Sequence, residues 1–178
     1  MITLITGGAR SGKSTYAESI YHDRTDVVYI ATSRIEDSEM ADRVMIHQST
    51  RPSSWRTFEG NYELKEAIGS ESCYLLDCMT VLSSNIMFDL TKNMDKIDIK
   101  TQQTVEETIC CELISLIDEI REQNKNLILV TNEVGLSIVP EHHISRVYRD
   151  ILGKVNQKIA ALSDEVTVLF CGLPLKLK

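Results

Sequence analysis

Eight consecutive residues, Gly7-Gly8-Ala9-Arg10-Ser11-Gly12-Lys13-Ser14, carry the strongest chemical signal in this chain. They fit the pattern G-x-x-x-x-G-K-[ST], in which glycines let backbone N–H groups turn toward phosphate oxygens. A helix that starts where such a loop ends presents its partial positive charge to the same anion. In this pattern the lysine, here Lys13, reaches the β- and γ-phosphates, and the Ser14 hydroxyl ligates Mg²⁺. Asp77 closes the apolar run Cys73-Tyr74-Leu75-Leu76. A carboxylate at the end of a buried strand is where a phosphate-loop enzyme holds its Mg²⁺, directly or through water. The competing role for Asp77 is to cap the helix that follows. Glu133 stands after another apolar run and suits metal support, proton abstraction or contact with a second substrate; a solvated loop acid is the alternative.

The histidines are His22, His47, His142 and His143. His22 ends the first helical stretch, where a cation is favourable, and reads as structural. His142 and His143 follow Pro140-Glu141 and read as solvated loop residues. His47 gains interest from Arg51-Pro52, about one helical turn later, because arginine suits bidentate phosphate contact.

Short apolar runs alternate with helical patterns and must position these groups. Strands are expected at Ile2 to Thr6, Val27 to Ala31, Trp55 to Phe58, Cys73 to Leu76, Leu127 to Val130 and Val166 to Cys171. Helices are expected at Ser14 to Tyr21, Ser38 to His47, Tyr62 to Ile68 and Thr80 to Leu90. A long one opens at the capping box Thr104-x-x-Glu107, and another carries Val147, Ile151, Leu152, Val155 and Ile159. The stretch 91–100 lacks an apolar period and reads as a mobile loop. The alternation implies an α/β fold, a mostly parallel sheet with helices on both faces. Ligands of such sheets sit beyond the carboxyl ends of the strands. That rule selects residues 7–14, Ala31-Thr32-Ser33, Glu59, Asp77 and Thr131-Asn132-Glu133.

The chain has 178 residues, which suggests one domain over 1–178, and a net charge of −7. An acidic balance argues against a broad nucleic-acid surface. Five cysteines without a C-x-x-C pair, two of them vicinal (Cys110 and Cys111), favour a reducing compartment and disfavour zinc. Cys73 and Cys171, beside apolar runs, read as core thiols. No signal peptide or membrane span is evident, so a cytoplasmic location without membrane insertion is expected.

The chain resembles the bifunctional adenosylcobinamide kinase / adenosylcobinamide-phosphate guanylyltransferase family. The resemblance rests on the phosphate loop, Tyr29-Ile30-Ala31-Thr32, Asp37-x-Glu39-Met40 and His47-x-x-x-Arg51-Pro52-x-x-Trp55-x-Thr57-x-Glu59. It continues through Leu76-Asp77-Cys78-Met79-Thr80, Thr131-Asn132-Glu133-Val134-Gly135, Asn156-Gln157 and the stretch from Asp164 to Lys178. Ser137 and His142 depart from the family pattern, which usually has glycine and asparagine there. The resemblance implies a RecA-like phosphate-loop fold and two reactions. ATP or GTP phosphorylates adenosylcobinamide, and GTP then transfers GMP to the product through a guanylylated histidine, His47 by motif position. It implies nucleotide contacts from residues 7–14, Ala31, Thr32, Ser33, Gln48, Ser49, Thr50, Arg51, Glu59 and Asp77, with Mg²⁺ on Ser14 and Asp77. It also implies a homotrimer. The competing readings are a phosphate-loop kinase of another small hydroxyl substrate, without guanylyl transfer, and a nucleotide-gated binding module.

Overall fold

A computed structural model describes residues 1–34, 52–92, 94 and 96–178. The strands are β1 (Ile2–Gly7), β2 (Val27–Ala31), β3 (Arg56–Glu59), β4 (Cys73–Asp77), β5 (Asn126–Val130), β6 (Glu165–Phe170) and β7 (Leu173–Lys176). They form one seven-stranded sheet in the order β3-β2-β4-β5-β1-β6-β7. All pairings among β1 to β6 are parallel, and β7 runs antiparallel to β6. The helices are α1 (Lys13–Ile20), α2 (Met79–Thr91), α3 (Ile99–Glu122) and α4 (His143–Leu162), with 3₁₀ turns at Leu64–Ala67 and Val134–Leu136.

Side chains alternate between the two sheet faces, so each central strand feeds two apolar layers. Leu4, Val28, Ile30, Tyr74, Leu76, Leu127 and Leu129 pack with α2, α3 and α4. Ile5, Val27, Tyr29, Leu75, Ile128 and Val130 pack with Ala17 and Tyr21 from the α1 side. These near-continuous apolar runs are what a parallel sheet covered on both faces requires.

Several boundaries differ from the sequence expectation. The long helix α3 starts at Ile99, capped by Asp98, whose Oδ1 accepts from Thr101 N at 2.8 Å. That bond holds the Asp98 carboxyl below the usual carboxylate range. Thr104 is no cap: it lies inside the helix and its Oγ1 donates to Lys100 O at 3.1 Å. The opening turn is mostly polar, with Lys100, Gln102 and Gln103 in it and Ile99 itself exposed, so it shows no apolar period. Of the residues expected as a loop over 91–100, Thr91 belongs to α2, and Ile99 and Lys100 belong to α3. The helix expected over 62–68 is a 3₁₀ turn. His143 begins α4 rather than lying in a loop. Cys171 is exposed, not a core thiol, because the chain turns there at a φ of 52° into β7. The helix expected over 38–47 lies outside the described residues.

Candidate active site

The octet runs from the last residue of β1 into the first turn of α1, as its pattern requires. Gly7 has a φ of 145° and Gly12 a φ of 93°, both in the region that favours glycine. A Cβ on Gly7 would lie 2.5 Å from Leu169 O and 2.9 Å from Ser11 Oγ. Lys13 is 7% exposed, and its Nζ donates to Gly8 O at 2.6 Å across the loop. Burial pushes its ammonium pKa down, against the opposing influence of Cys78 and Asp77 nearby. Ser11 Oγ is buried with no hydrogen-bond partner among the described residues. A desolvated ammonium and an orphaned hydroxyl within one glycine-rich turn suit a phosphate oxygen that takes a bond from each. Outside the octet, Gly172 N donates to Ser11 O at 3.0 Å, tying the turn between β6 and β7 to the loop.

Register brings the strand-end residues into one row. Ala31 pairs with Glu59 on one side and Asp77 on the other, and Asp77 pairs with Val130. Glu59 is exposed, whereas Asp77 is half-buried. Thr32, fully buried, fixes this corner: its Oγ1 donates to Cys78 O at 2.9 Å and accepts from Cys78 N at 3.0 Å. From α2, Asn85 Nδ2 donates to Thr32 O at 2.8 Å and to Asn61 Oδ1 at 3.0 Å. The turn at Thr32 is thereby clamped to the end of β4, beside the Asp77 carboxylate. Burial, with the neighbouring Asp77, pushes the Cys78 thiol up to about 11, so it stays neutral and inert near pH 7.

A second polar cluster organises residues 131–133. Glu133 N donates to Gly7 O at 3.2 Å, and Glu133 Oε1 accepts from Thr6 Oγ1 at 3.1 Å and Asn156 Nδ2 at 3.3 Å. Asn156 also accepts from Thr131 Oγ1 at 2.8 Å and donates to Asn132 O at 3.1 Å. Thr80 Oγ1 accepts from both Asn132 N and Asn132 Nδ2 at 2.9 Å, and Tyr148 OH donates to Thr80 O at 2.7 Å. Sequence reasoning about chemistry had not singled out Asn156, Thr80, Asn85 or Tyr148. The available signal for Asn156 was an amide in the apolar stripe of α4, between Val155 and Ile159.

The structure thus gathers residues 7–14, Ala31 to Ser33, Glu59, Asp77 and Glu133 at the carboxyl edge of the sheet. His47, Gln48, Ser49, Thr50 and Arg51 lie outside the described residues. A family model described as cobinamide kinase / cobinamide phosphate guanyltransferase matches residues 3–177. The chain belongs to this family. It is 43% identical over 182 residues to the bifunctional adenosylcobalamin biosynthesis protein CobU of Escherichia coli strain K12, with all of both chains covered. It is 41% identical over 182 residues to the protein of the same description from Salmonella typhimurium strain LT2, again with all of both chains covered. Family members phosphorylate cobinamide and guanylylate the phosphate in cobalamin biosynthesis, and these are the activities of this chain. The fold is also similar to that of a prototypical ATPase from the type III secretion system of pathogenic bacteria. That likeness has a TM-score of 0.51 and 11% identity, covering 95% of this chain and 51% of the other.

Proposed function

We propose that one nucleotide site serves both reactions of this enzyme. Residues 7–14 hold the phosphates, Ala31 to Ser33, Glu59 and the segment Gln48 to Arg51 hold the nucleoside, and His47 carries the GMP. The observation that carries the phosphate assignment is that buried Lys13 and Ser11 Oγ, which has no hydrogen-bond partner among the described residues, share the glycine turn. Asp77 and Ser14 offer a carboxylate and a hydroxyl beside the loop, the hard oxygen donors that Mg²⁺ takes along with phosphates. Bound there, Mg²⁺ would neutralise charge on the phosphates.

In the kinase half-reaction, ATP or GTP supplies its γ-phosphoryl group to the aminopropanol hydroxyl of adenosylcobinamide. In the second, a neutral imidazole nitrogen of His47 attacks the α-phosphorus of GTP, the bond to the bridging oxygen breaks, and pyrophosphate leaves. The phosphate oxygen of adenosylcobinamide phosphate then attacks the same phosphorus, the P–N bond breaks, and free His47 returns. Lys13 balances charge on the departing phosphates in both cases. The residue pattern around His47 and the family membership support this reading. In the same reading the enzyme is a cytoplasmic homotrimer; no described helix is long and apolar enough to cross a membrane.

The test uses GTP labelled at the α-phosphate, Mg²⁺ and denaturation after mixing. The wild type retains an acid-labile, alkali-stable label. His47→Asn abolishes the label and leaves cobinamide phosphorylation measurable. An unlabelled wild type under turnover conditions overturns the covalent route. A competent Lys13→Ala kinase overturns the shared site.

A further inference from the structure

A kinase of so large an acceptor needs a surface for it beside the phosphate loop. A cleft of about 730 Å³ opens there, with Gly8, Ala9 and Ser11 in one wall. Its other walls come from residues 132–140, from Ser145 to Arg149 in α4, and from the end of β6. We propose that this cleft receives the corrinoid, and that Glu133 at its inner end holds the aminopropanol hydroxyl against the terminal phosphate. This rests on the placing of the triphosphate on residues 7–14.

The first ground is position. Among the proposed nucleoside contacts, the described ones, Ala31 to Ser33 and Glu59, lie at the ends of β2 and β3, on one side of the phosphate loop. The cleft lies on the other side, over the ends of β5, β1 and β6. An in-line displacement needs donor and acceptor on opposite sides of the transferred phosphorus.

The second ground is size and lining. The volume lies in the range of roughly 300–1,000 Å³ typical of small-molecule sites, far beyond what a lone hydroxyl needs. Leu136 is 76% exposed, Ile138 90% and Phe170 55%, and all three line it. Large apolar side chains left uncovered beside a reaction centre mark a ligand groove. Asn132 and Arg149 add polar groups to the same wall. A corrinoid is a broad apolar macrocycle edged with carboxamides, and a groove of aliphatic faces with an amide and a guanidinium matches both parts.

The third ground is the carboxylate. Glu133 Oε1 is held by Thr6 and Asn156, while no protein hydrogen bond among the described residues reaches Oε2. The fixed carboxylate therefore keeps one oxygen for an outside donor. As the substrate oxygen bonds to the γ-phosphorus, its proton passes to Glu133. The bond between that phosphorus and the β–γ bridging oxygen breaks, and the nucleoside diphosphate leaves with the electron pair. Glu133 then returns its proton to solvent.

Steady-state kinetics of cobinamide phosphorylation, with corrinoid and nucleotide varied separately, test the placement in two variants. Ser145→Trp fills the cleft, and Ile138→Glu charges a position exposed enough to leave the fold intact. Each is expected to raise KM for cobinamide roughly tenfold or more while KM for the nucleotide changes less than about twofold. Glu133→Gln is expected to lower kcat about 10²-fold with little change in KM. A rise in nucleotide KM instead gives the cleft to the nucleoside and overturns the proposal. So does an unchanged cobinamide KM in Ile138→Glu, or a weakened KM that sedimentation traces to an altered subunit assembly. A Glu133→Gln kcat within about threefold of wild type overturns the role of Glu133. Failure of the underlying reading looks different: Lys13→Ala would then phosphorylate cobinamide as the wild type does.

Discussion

Replacing Asn156 by leucine separates the scaffold of the site from its chemistry. The side chain is 6% exposed and makes three hydrogen bonds, accepting from Thr131 Oγ1 and donating to Asn132 O and Glu133 Oε1. Leucine has a similar volume but no polar atom. The change strands the fully buried Thr131 hydroxyl and takes a donor from the carbonyl of half-buried Asn132. Each orphaned buried group costs about 1–3 kcal/mol. Added apolar burial returns about 1 kcal/mol, and Glu133 keeps its bond from Thr6. With most of the cost at Thr131, the net loss is about 1–3 kcal/mol. At a urea slope of about 2 kcal/mol per molar the unfolding midpoint should fall by about 0.5–1.5 M. Thr131→Val combined with Asn156→Leu should cost less than the sum of the two single changes, because the pair shares one hydrogen bond. A midpoint shift under about 0.3 M, with additive costs, would refute the reasoning that this amide holds residues 131–133 in place.

Gly7→Ala should cost about 2 kcal/mol or more and abolish GTP-dependent thermal stabilisation, since the new methyl group meets Leu169 O at a φ of 145°. A variant with wild-type GTP affinity would contradict the loop geometry. Arg56 donates to Glu71 Oε1 at 2.6 Å, and that bond holds the Glu71 carboxyl below its ordinary range. A depressed carboxyl contributes stability above the unfolded-state pKa of about 4.3 and loses it as pH falls through the folded-state pKa. Arg56→Ala should therefore destabilise at pH 7 by no more than about 1 kcal/mol, as befits a partly exposed pair. The titrating part of that difference should fade as pH drops below about 4.3, leaving the part due to the Arg56 bond to Ala67 O, and denaturation curves across that range check it.

The nucleotide half of the site was legible because its chemistry is local. Strand, glycine turn, lysine and helix follow one another within residues 2–20, and each leaves a mark on the sequence. The central strands were legible for the same reason, as apolar runs buried on both faces. What escaped depends on distance along the chain. Asn156 reaches residues 131–133 from another element, and its place in the apolar stripe of α4 marks it as buried without naming its partners. The strand β7 alternates around Pro174 with every residue exposed, so no burial pattern advertises it. The start of α3 was misplaced because Asp98 caps a polar opening turn. The cleft has no sequence signature, since its walls come from residues 8–11, 132–149 and 169–171.

The place of β1 in the sheet has a consequence for how the enzyme is made. β1 is made before every other strand described, yet its neighbours are β5 and β6. Its partners begin at residues 127 and 165, so the strand that leads into the phosphate loop stays unflanked through most of synthesis. The loop itself is braced by Leu169, which pairs with Gly7 across the strands, and by the Gly172 amide bonded to Ser11. Such long-range pairing is slow to form, because the intervening chain must first be closed into loops. A nascent chain carrying the whole octet therefore lacks the neighbours that shape it for a triphosphate. Competence for nucleotide arrives in one late event, when β6 and the turn after it dock beside a strand made more than a hundred residues earlier.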